Sequence, residues 1–379
     1  MKVVNLTPKY INVKIFAVII MKKRIIDIVS ILLVMCLFSS CDGTKTLRTK
    51  KITDKITQTS VVIESDIEEQ EEFSAFLKDF KALHTIPGLL EGVIPQGLCY
   101  DETTGYLLIS GYYEDEKFPS VIMAISEADG KFIGAYPLND TNGNSYYGHV
   151  GGIASSQNTV YVTSGGECYT FPASVLIGLK NCSPITFQSK FKLNTAGSFA
   201  CIYNNILWTG DFVENDEKVK SEIQNITTLD NGETFYAYCE GYILNDGLPN
   251  IKSINSNSTG YIPDYIIAIP EQVQGMAFTK TNKIIFSTSY GRKNNSEIYI
   301  FEDFLIKEKT GIKIIDGREV DLYSCSSSYL DKKITALPMA EGMANTADGV
   351  YIAFESGAKK YRRGGGRFPT DTLYFTTIE

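Results

Sequence analysis

Histidine is almost missing from this chain. Its 379 residues include two, His84 and His149, beside a single tryptophan. Two imidazoles cannot build a histidine-rich metal site. None of the eight cysteines stands in a CxxC or Cys/His spacing, so zinc-finger and thioredoxin-type chemistry is excluded. There is no Gly-x-Ser-x-Gly elbow and no His-Glu-x-x-His helix. The run Gly364-Gly365-Gly366 lacks the Lys-Ser/Thr sequel and the strand–helix setting of a phosphate loop. Basic charge is lacking as well: the net charge is −8, which argues against a nucleic-acid partner. The apolar run at 28–38 is shorter than the ~20 residues of a membrane span, and Asp27 precedes it.

What the chain does have is apolar and aromatic. Hydrophobic residues make up 44%, with 23 tyrosines and 20 phenylalanines, a composition suited to many strands packed face to face. The N-terminus has the layout of an export signal: the basic Met21-Lys22-Lys23-Arg24, the apolar run, then Ser39-Ser40 before Cys41. A cysteine directly after small residues resembles the lipobox of bacterial lipoproteins, although Phe38 replaces the usual leucine. The expectation is a signal region over 1–40 with Met21 as the true start. Cys41 would then be lipidated, by palmitate among other acyl groups, holding the protein to a membrane in the extracytoplasmic envelope. In that setting Cys168 and Cys182, which bracket a short loop, are candidates to pair, while the remaining thiols read as buried.

Residues 41–64 read as a polar tether. Over 65–81, Phe73, Phe76, Leu77 and Phe80 fall at helical spacing behind an acidic first turn and predict one amphipathic helix. From 82 to 379 a unit of short strands recurs. Its clearest copy predicts strands at 97–100, 106–111, 121–126 and 132–138, separated by Thr-Thr-Gly and Ala-Asp-Gly turns. Similar openings follow: "HVGGIASSQNTVYVTSGG", "AGSFACIYNNILWTGDF", "VQGMAFTKTNKIIFSTSYGR" and "AEGMANTADGVYIAFESG". Four-stranded units at periods near ~40–50 residues are the mark of a β-propeller. The two longer intervals carry polar insertions at 214–233 and 304–331. The expected fold is therefore all-β, a propeller of four-stranded blades. Counting openings favours five blades, with six as the alternative. The last unit ends one strand short, and "KALHTIPGL" before the first blade is the natural donor of the missing strand.

The stretches "IPGLLEGVIPQGL", "LLISGYY", "GHVGGIA" and "TSYGRKNNSEIYIFED" resemble an uncharacterised family of exported bacterial β-propellers. The resemblance runs over most of 86–375. It implies the fold and assigns no activity.

In such a blade the first strand lines the channel and the second runs back beside it, so starts of first strands and ends of second strands share a face. The starts carry Gln96, His149, Ser198, Gln274 and Glu341. The ends carry Tyr112, Asp211, Arg292 and Glu355, with Tyr113, Glu167, Glu214 and Tyr290 beside them. Gln96, His149, Gln274, Glu341, Tyr112, Asp211, Arg292 and Glu355 are thus the candidate ligand-binding residues of a channel mouth. The expected function is a binding module for a small ligand, glycan or protein. A metal-assisted ester or lactone hydrolase at the same face is the alternative, with His149 and Glu341 as base and orienter. A scaffold subunit of an envelope complex is a third. No metal or other cofactor is expected: one carboxylate and two amides at the strand starts are thin for a calcium-like cation. For His149 the ordinary account is preferred, a side chain bonded to backbone to hold the turn before Gly151-Gly152. The basic run at 359–367 reads as a solvated, flexible loop.

Overall fold

The computed structural model describes residues 56–62, 66–114, 117–223, 226–251 and 260–379. The signal region, Cys41 and most of the expected tether lie outside them.

Strand β1 (Lys81–Thr85) follows a helical stretch that is less regular than the spacing predicts. Two 3-10 turns, Asp66–Glu69 and Glu71–Phe73, precede a six-residue α-helix, Ser74–Asp79. Consecutive acidic residues crowd its start, and Phe73, Phe76 and Phe80 are buried, so packing rather than helical hydrogen bonding fixes the segment. Phe76 stacks on Phe80 at 4.8 Å and tilts against Tyr374 at 5.0 Å.

The rest is a series of antiparallel meanders in an all-β, propeller-like arrangement with few helices. The first sheet runs β2 (Val93–Asp101), β3 (Tyr106–Tyr113), β4 (Val121–Ser126), β5 (Phe132–Asn139). The second holds β6 (Gly152–Ser156), β7 (Thr159–Ser164) and β8 (Glu167–Pro172). A short β9 (Ile185–Thr186) then joins β5 in parallel, and β10 (Ser189–Lys192) completes the second sheet on β8. The third contains β11 (Phe199–Tyr203) and β12 (Ile206–Gly210). After the small ladder β13 (Thr227–Thr228) with β14 (Thr234–Phe235), it resumes with β15 (Ala237–Asn245). The short β16 (Leu248–Pro249) pairs with β15, and β17 (Tyr265–Ile269) follows as the fourth strand. The fourth sheet is β18 (Val273–Phe278), β19 (Ile284–Thr288), β20 (Ser296–Phe301). Between β20 and its last strand, the insertion at 304–331 forms a hairpin of β21 (Gly311–Ile315) and β22 (Arg318–Ser324), whose β22 lies parallel to β17 and extends the third sheet. β23 (Leu330–Ala336) then ends the fourth sheet. The last sheet is β24 (Ala340–Asn345), β25 (Val350–Phe354), β26 (Thr372–Thr376), with β1 paired antiparallel to β26.

The first strands of these sheets crowd one another. β2 lies beside β6 and β24, β11 beside β6 and β18, and β18 beside β24. Two glycines make that approach sterically feasible. A Cβ on Gly342 would stand 2.5 Å from the Leu98 nitrogen, and one on Gly152 would stand 2.4 Å from the Ala200 nitrogen. No side chain fits at such separations. At the far end of the strands Asn345 ties three of them together, donating to the Ile202 carbonyl at 3.0 Å and accepting from the Phe278 nitrogen at 2.8 Å.

Three expectations need correction. Cys168 and Cys182 are not joined in a disulfide: Cys168 is buried within β8, and Cys182 sits in a left-handed turn at φ 71°. The basic run is not a loop throughout, because Lys359–Arg363 forms a short helix with Tyr361 buried beneath it. Residues 56–62, assigned to the tether, are docked. Asp371 accepts hydrogen bonds from Ser60 and from the Val61 and Val62 nitrogens, and Gln58 bonds the Thr85 and Gly130 carbonyls. Among the described residues no helix is long and apolar enough to cross a membrane.

Candidate functional site

Three first strands break register at the same place. The ladder of β2 with β3 shifts between Pro95 and Leu98, that of β18 with β19 between Val273 and Gly275, and that of β24 with β25 between Ala340 and Met343. A bulge inserts a residue that the ladder cannot pair and re-aims its side chain. The re-aimed residues include Gln96, Gln274 and Glu341, and all three line one cavity of about 560 Å³. Two of the three bulges share a further feature: Gln272 and Met339, two residues before Gln274 and Glu341, both adopt left-handed backbone, φ 63° and 68°.

Glu341 and Gln96 are candidates for the channel mouth. They form its floor, only 3% and 4% exposed. Glu341 shares a hydrogen bond with Glu355, which follows β25. Two carboxyl groups so close in a largely buried site each oppose the other's ionisation. Burial first, then the neighbouring Glu355 charge, pushes Glu341 well above the ordinary carboxyl range. Burial also raises Glu355, to about 7, against the hydrogen bonds from Tyr361 and Gln96 that favour its ionised form. The Gln96 amide donates to Glu355 at 3.0 Å and to the Pro95 carbonyl at 2.9 Å, which fixes its orientation.

Two tyrosines wall this floor. Tyr361, carried by the short helix, bonds Glu355, and burial followed by the Glu355 charge raises its phenol strongly. Tyr112, bonded to Tyr361, is pushed up to about 12 by burial and by the two glutamates. His149 lies against Tyr112 with ring centroids 4.4 Å apart. It is open to solvent at the rim, but the concave wall around it, and then Lys360, hold its pKa below the ordinary imidazole value. The turn beside His149 is clamped without its imidazole. Val150, in left-handed backbone at φ 50°, donates its nitrogen to Ser164 Oγ at 3.2 Å and accepts from Ser110 Oγ at 2.7 Å. The preferred backbone role for His149 is therefore filled by two serines.

Arg292 and Lys360 complete the rim. The guanidinium lies over the Tyr361 ring, 5.2 Å from its centroid. Lys360 pairs with Glu114 at 3.5 Å. Of the eight candidate residues the structure gathers seven around this cavity: Gln96, Tyr112, His149, Gln274, Arg292, Glu341 and Glu355. Asp211 goes elsewhere. It accepts from the Ala196 nitrogen at 2.6 Å and lines a neighbouring cavity of about 340 Å³ with Glu240 and Lys313. Burial raises Asp211, and raises Glu240 to about 7 against hydrogen bonds from Tyr242 and Asn194.

Tyr361 and Lys360 are among the mouth residues that the sequence pattern does not single out. The signal was a tyrosine inside a basic run, which a buried ring and a solvated loop explain equally well. Among the described residues no three His, Cys, Asp or Glu side chains gather as metal ligands.

No family model matches the chain, and no curated protein matches it. Solved structures resemble it weakly. Glutaminyl cyclase from Myxococcus xanthus is 9% identical at a TM-score of 0.41, covering 79% of this chain and 95% of that one. The PQQ-bound aldose sugar dehydrogenase of Streptomyces coelicolor is 14% identical at 0.39, covering 78% and 97%. The β-propeller domain of Myceliophteria thermophila Cps50 is 8% identical at 0.34, covering 79% and 100%. The propeller assignment stands on this chain's own strand order.

Proposed function

We propose that this chain is a lipid-anchored, extracytoplasmic five-bladed β-propeller whose channel mouth binds a small polar ligand. The blade count is supported by the successive four-strand meanders whose first strands adjoin one another in a cycle. Closure by the N-terminal strand is supported by the pairing of β1 with β26. Anchoring is supported by the basic, apolar and small residues that lead to Cys41. Export would give such a protein a ligand from outside the cytoplasm.

The observation that carries the binding reading is the shared bulge. Three different sheets distort at the same position and so aim Gln96, Gln274 and Glu341 into one cavity. Such a cavity, at about 560 Å³, is in the range that takes small molecules. A thermal-shift screen of the purified chain against small polar metabolites tests it. A hit should raise the melting temperature of the wild type and lose that effect in Gln274→Ala. Hits that stabilise both proteins equally would place binding elsewhere and reject the reading.

The Glu341–Glu355 pair supports a second reading, acid–base catalysis, because a carboxyl and a carboxylate side by side can give and take a proton near neutral pH. Turnover of an ester or lactone that Glu355→Gln abolishes would favour it over binding alone.

A further inference from the structure

The mouth is electrically divided. Its floor is the Glu341–Glu355 carboxyl pair. Its rim on the same side carries two cations, Lys360 and Arg292. Lys360 is already shared with Glu114 at 3.5 Å. Arg292 is not. Among the described residues it forms no ion pair, and its guanidinium is supported only from below, by the Tyr361 ring at 5.2 Å. The chain makes room for it there: a Cβ on Gly364 would stand 2.4 Å from an Arg292 terminal nitrogen. A guanidinium held over an aromatic face still has N–H donors to offer a planar anion.

Arg292 and Glu355 thus meet the same phenol, the cation over its face and the carboxyl group at its hydroxyl. A group that satisfied both would carry an anionic end and, within a few bonds, hydrogen-bond donors for the floor. Building on the binding reading above, we propose that the mouth takes a small bipolar molecule whose carboxylate is received by Arg292 and Lys360 and whose amine or hydroxyl groups are received by the Glu341–Glu355 pair. Two sources share that chemistry: short zwitterionic peptides and sugar acids.

Calorimetric titration of the purified chain separates them. One arm uses a free dipeptide and its C-terminal amide, the other a hexuronic acid and the neutral hexose. The acidic member of one pair should bind at least about tenfold more tightly than its neutral counterpart. Arg292→Gln should remove that preference while leaving the neutral member's affinity unchanged. The exposed Arg292 side chain makes a folding defect in this variant easy to exclude by its melting temperature. Glu355→Gln should weaken both members of the pair. Equal binding of acidic and neutral members, or a preference that survives Arg292→Gln, would overturn the proposal. So would a different ligand, cationic or uncharged, lodged at the mouth by the Gln274→Ala criterion, and the binding reading would then stand without it. Failure of every ligand to bind at the mouth would overturn both.

Discussion

Gln96 donates a hydrogen bond of 3.0 Å to Glu355, a residue 259 positions further along the chain. The bond joins the first sheet to the last across the cavity floor, and it holds one member of the carboxyl pair in place. Much of the expected behaviour of the molecule can be derived from that floor.

The pair makes stability fall as pH rises. Both carboxyl groups are raised in the folded chain, Glu355 to about 7, so the folded state binds more protons than the unfolded one between the ordinary carboxyl range and that value. The contribution of Glu355 is complete below the ordinary range and is lost as pH passes through about 7, and that of Glu341 has the same sign. Glu240 adds the same sign, which is why the comparison must be with a variant. Glu341→Gln should match the wild type near pH 5 and exceed it near pH 8 by roughly 1–3 kcal/mol. Parallel melting curves for the two proteins would show that the carboxyl pair is not raised.

Crowding of the first strands sets a second expectation. Gly342→Ala places a Cβ 2.5 Å from the Leu98 nitrogen and 2.7 Å from the Gln96 carbonyl oxygen. Neither backbone atom can yield without moving β2, so the cost should be about 1–3 kcal/mol or more. Gly311→Ala, where the nearest atom is 3.8 Å away, should be close to neutral. Denaturant unfolding of both variants tests the pair.

His149 should matter little for stability. Its ring rests on Tyr112, and the turn beside it is held by Ser110 and Ser164. His149→Ala should cost at most about 1 kcal/mol. Ser110→Ala removes a bond to the Val150 carbonyl and one from the Gly97 nitrogen, and should cost about 1–3 kcal/mol. The reverse order would restore the backbone role for His149.

Truncation should be graded. Removing 42–55 should leave the melting temperature unchanged. Removing 42–64 should lower it modestly, since Asp371 loses Ser60, Val61 and Val62 as donors. Removing through Leu89 should lower it sharply, because β26 is left as an open edge and the Phe76 cluster is stripped away. Closure by β1 is refuted if the longest and shortest truncations melt together.

Anchoring is tested by Cys41→Ser, which should release the protein to the soluble fraction or leave an unprocessed precursor. Normal membrane retention of that variant would exclude lipidation at this position.

The sequence by itself determined what is local. Alternating apolar residues and glycine-bearing turns placed the strands at 106–111 and 121–126, which the structure gives as Tyr106–Tyr113, two residues longer, and Val121–Ser126. The predicted 97–100 lengthened to Val93–Asp101, because pairing across a bulge adds residues that no local pattern marks. Likewise, the repeated small-residue openings made it possible to name seven residues of one cavity.

Only the tertiary structure decided what those residues are like. Whether Glu341 is wet or buried depends on Glu355 and Gln96, and neither is its neighbour in sequence. Asp211 occupies the equivalent end of a second strand, yet the Ala196 nitrogen draws it into a different cavity. Tyr361 reaches the floor because a short helix folds over the mouth. Propensity and turn chemistry act over a few residues, and a sequence displays them directly. Desolvation, coupled ionisation and the direction of a side chain are set by atoms brought together from remote sheets, so they exist only once the chain has folded.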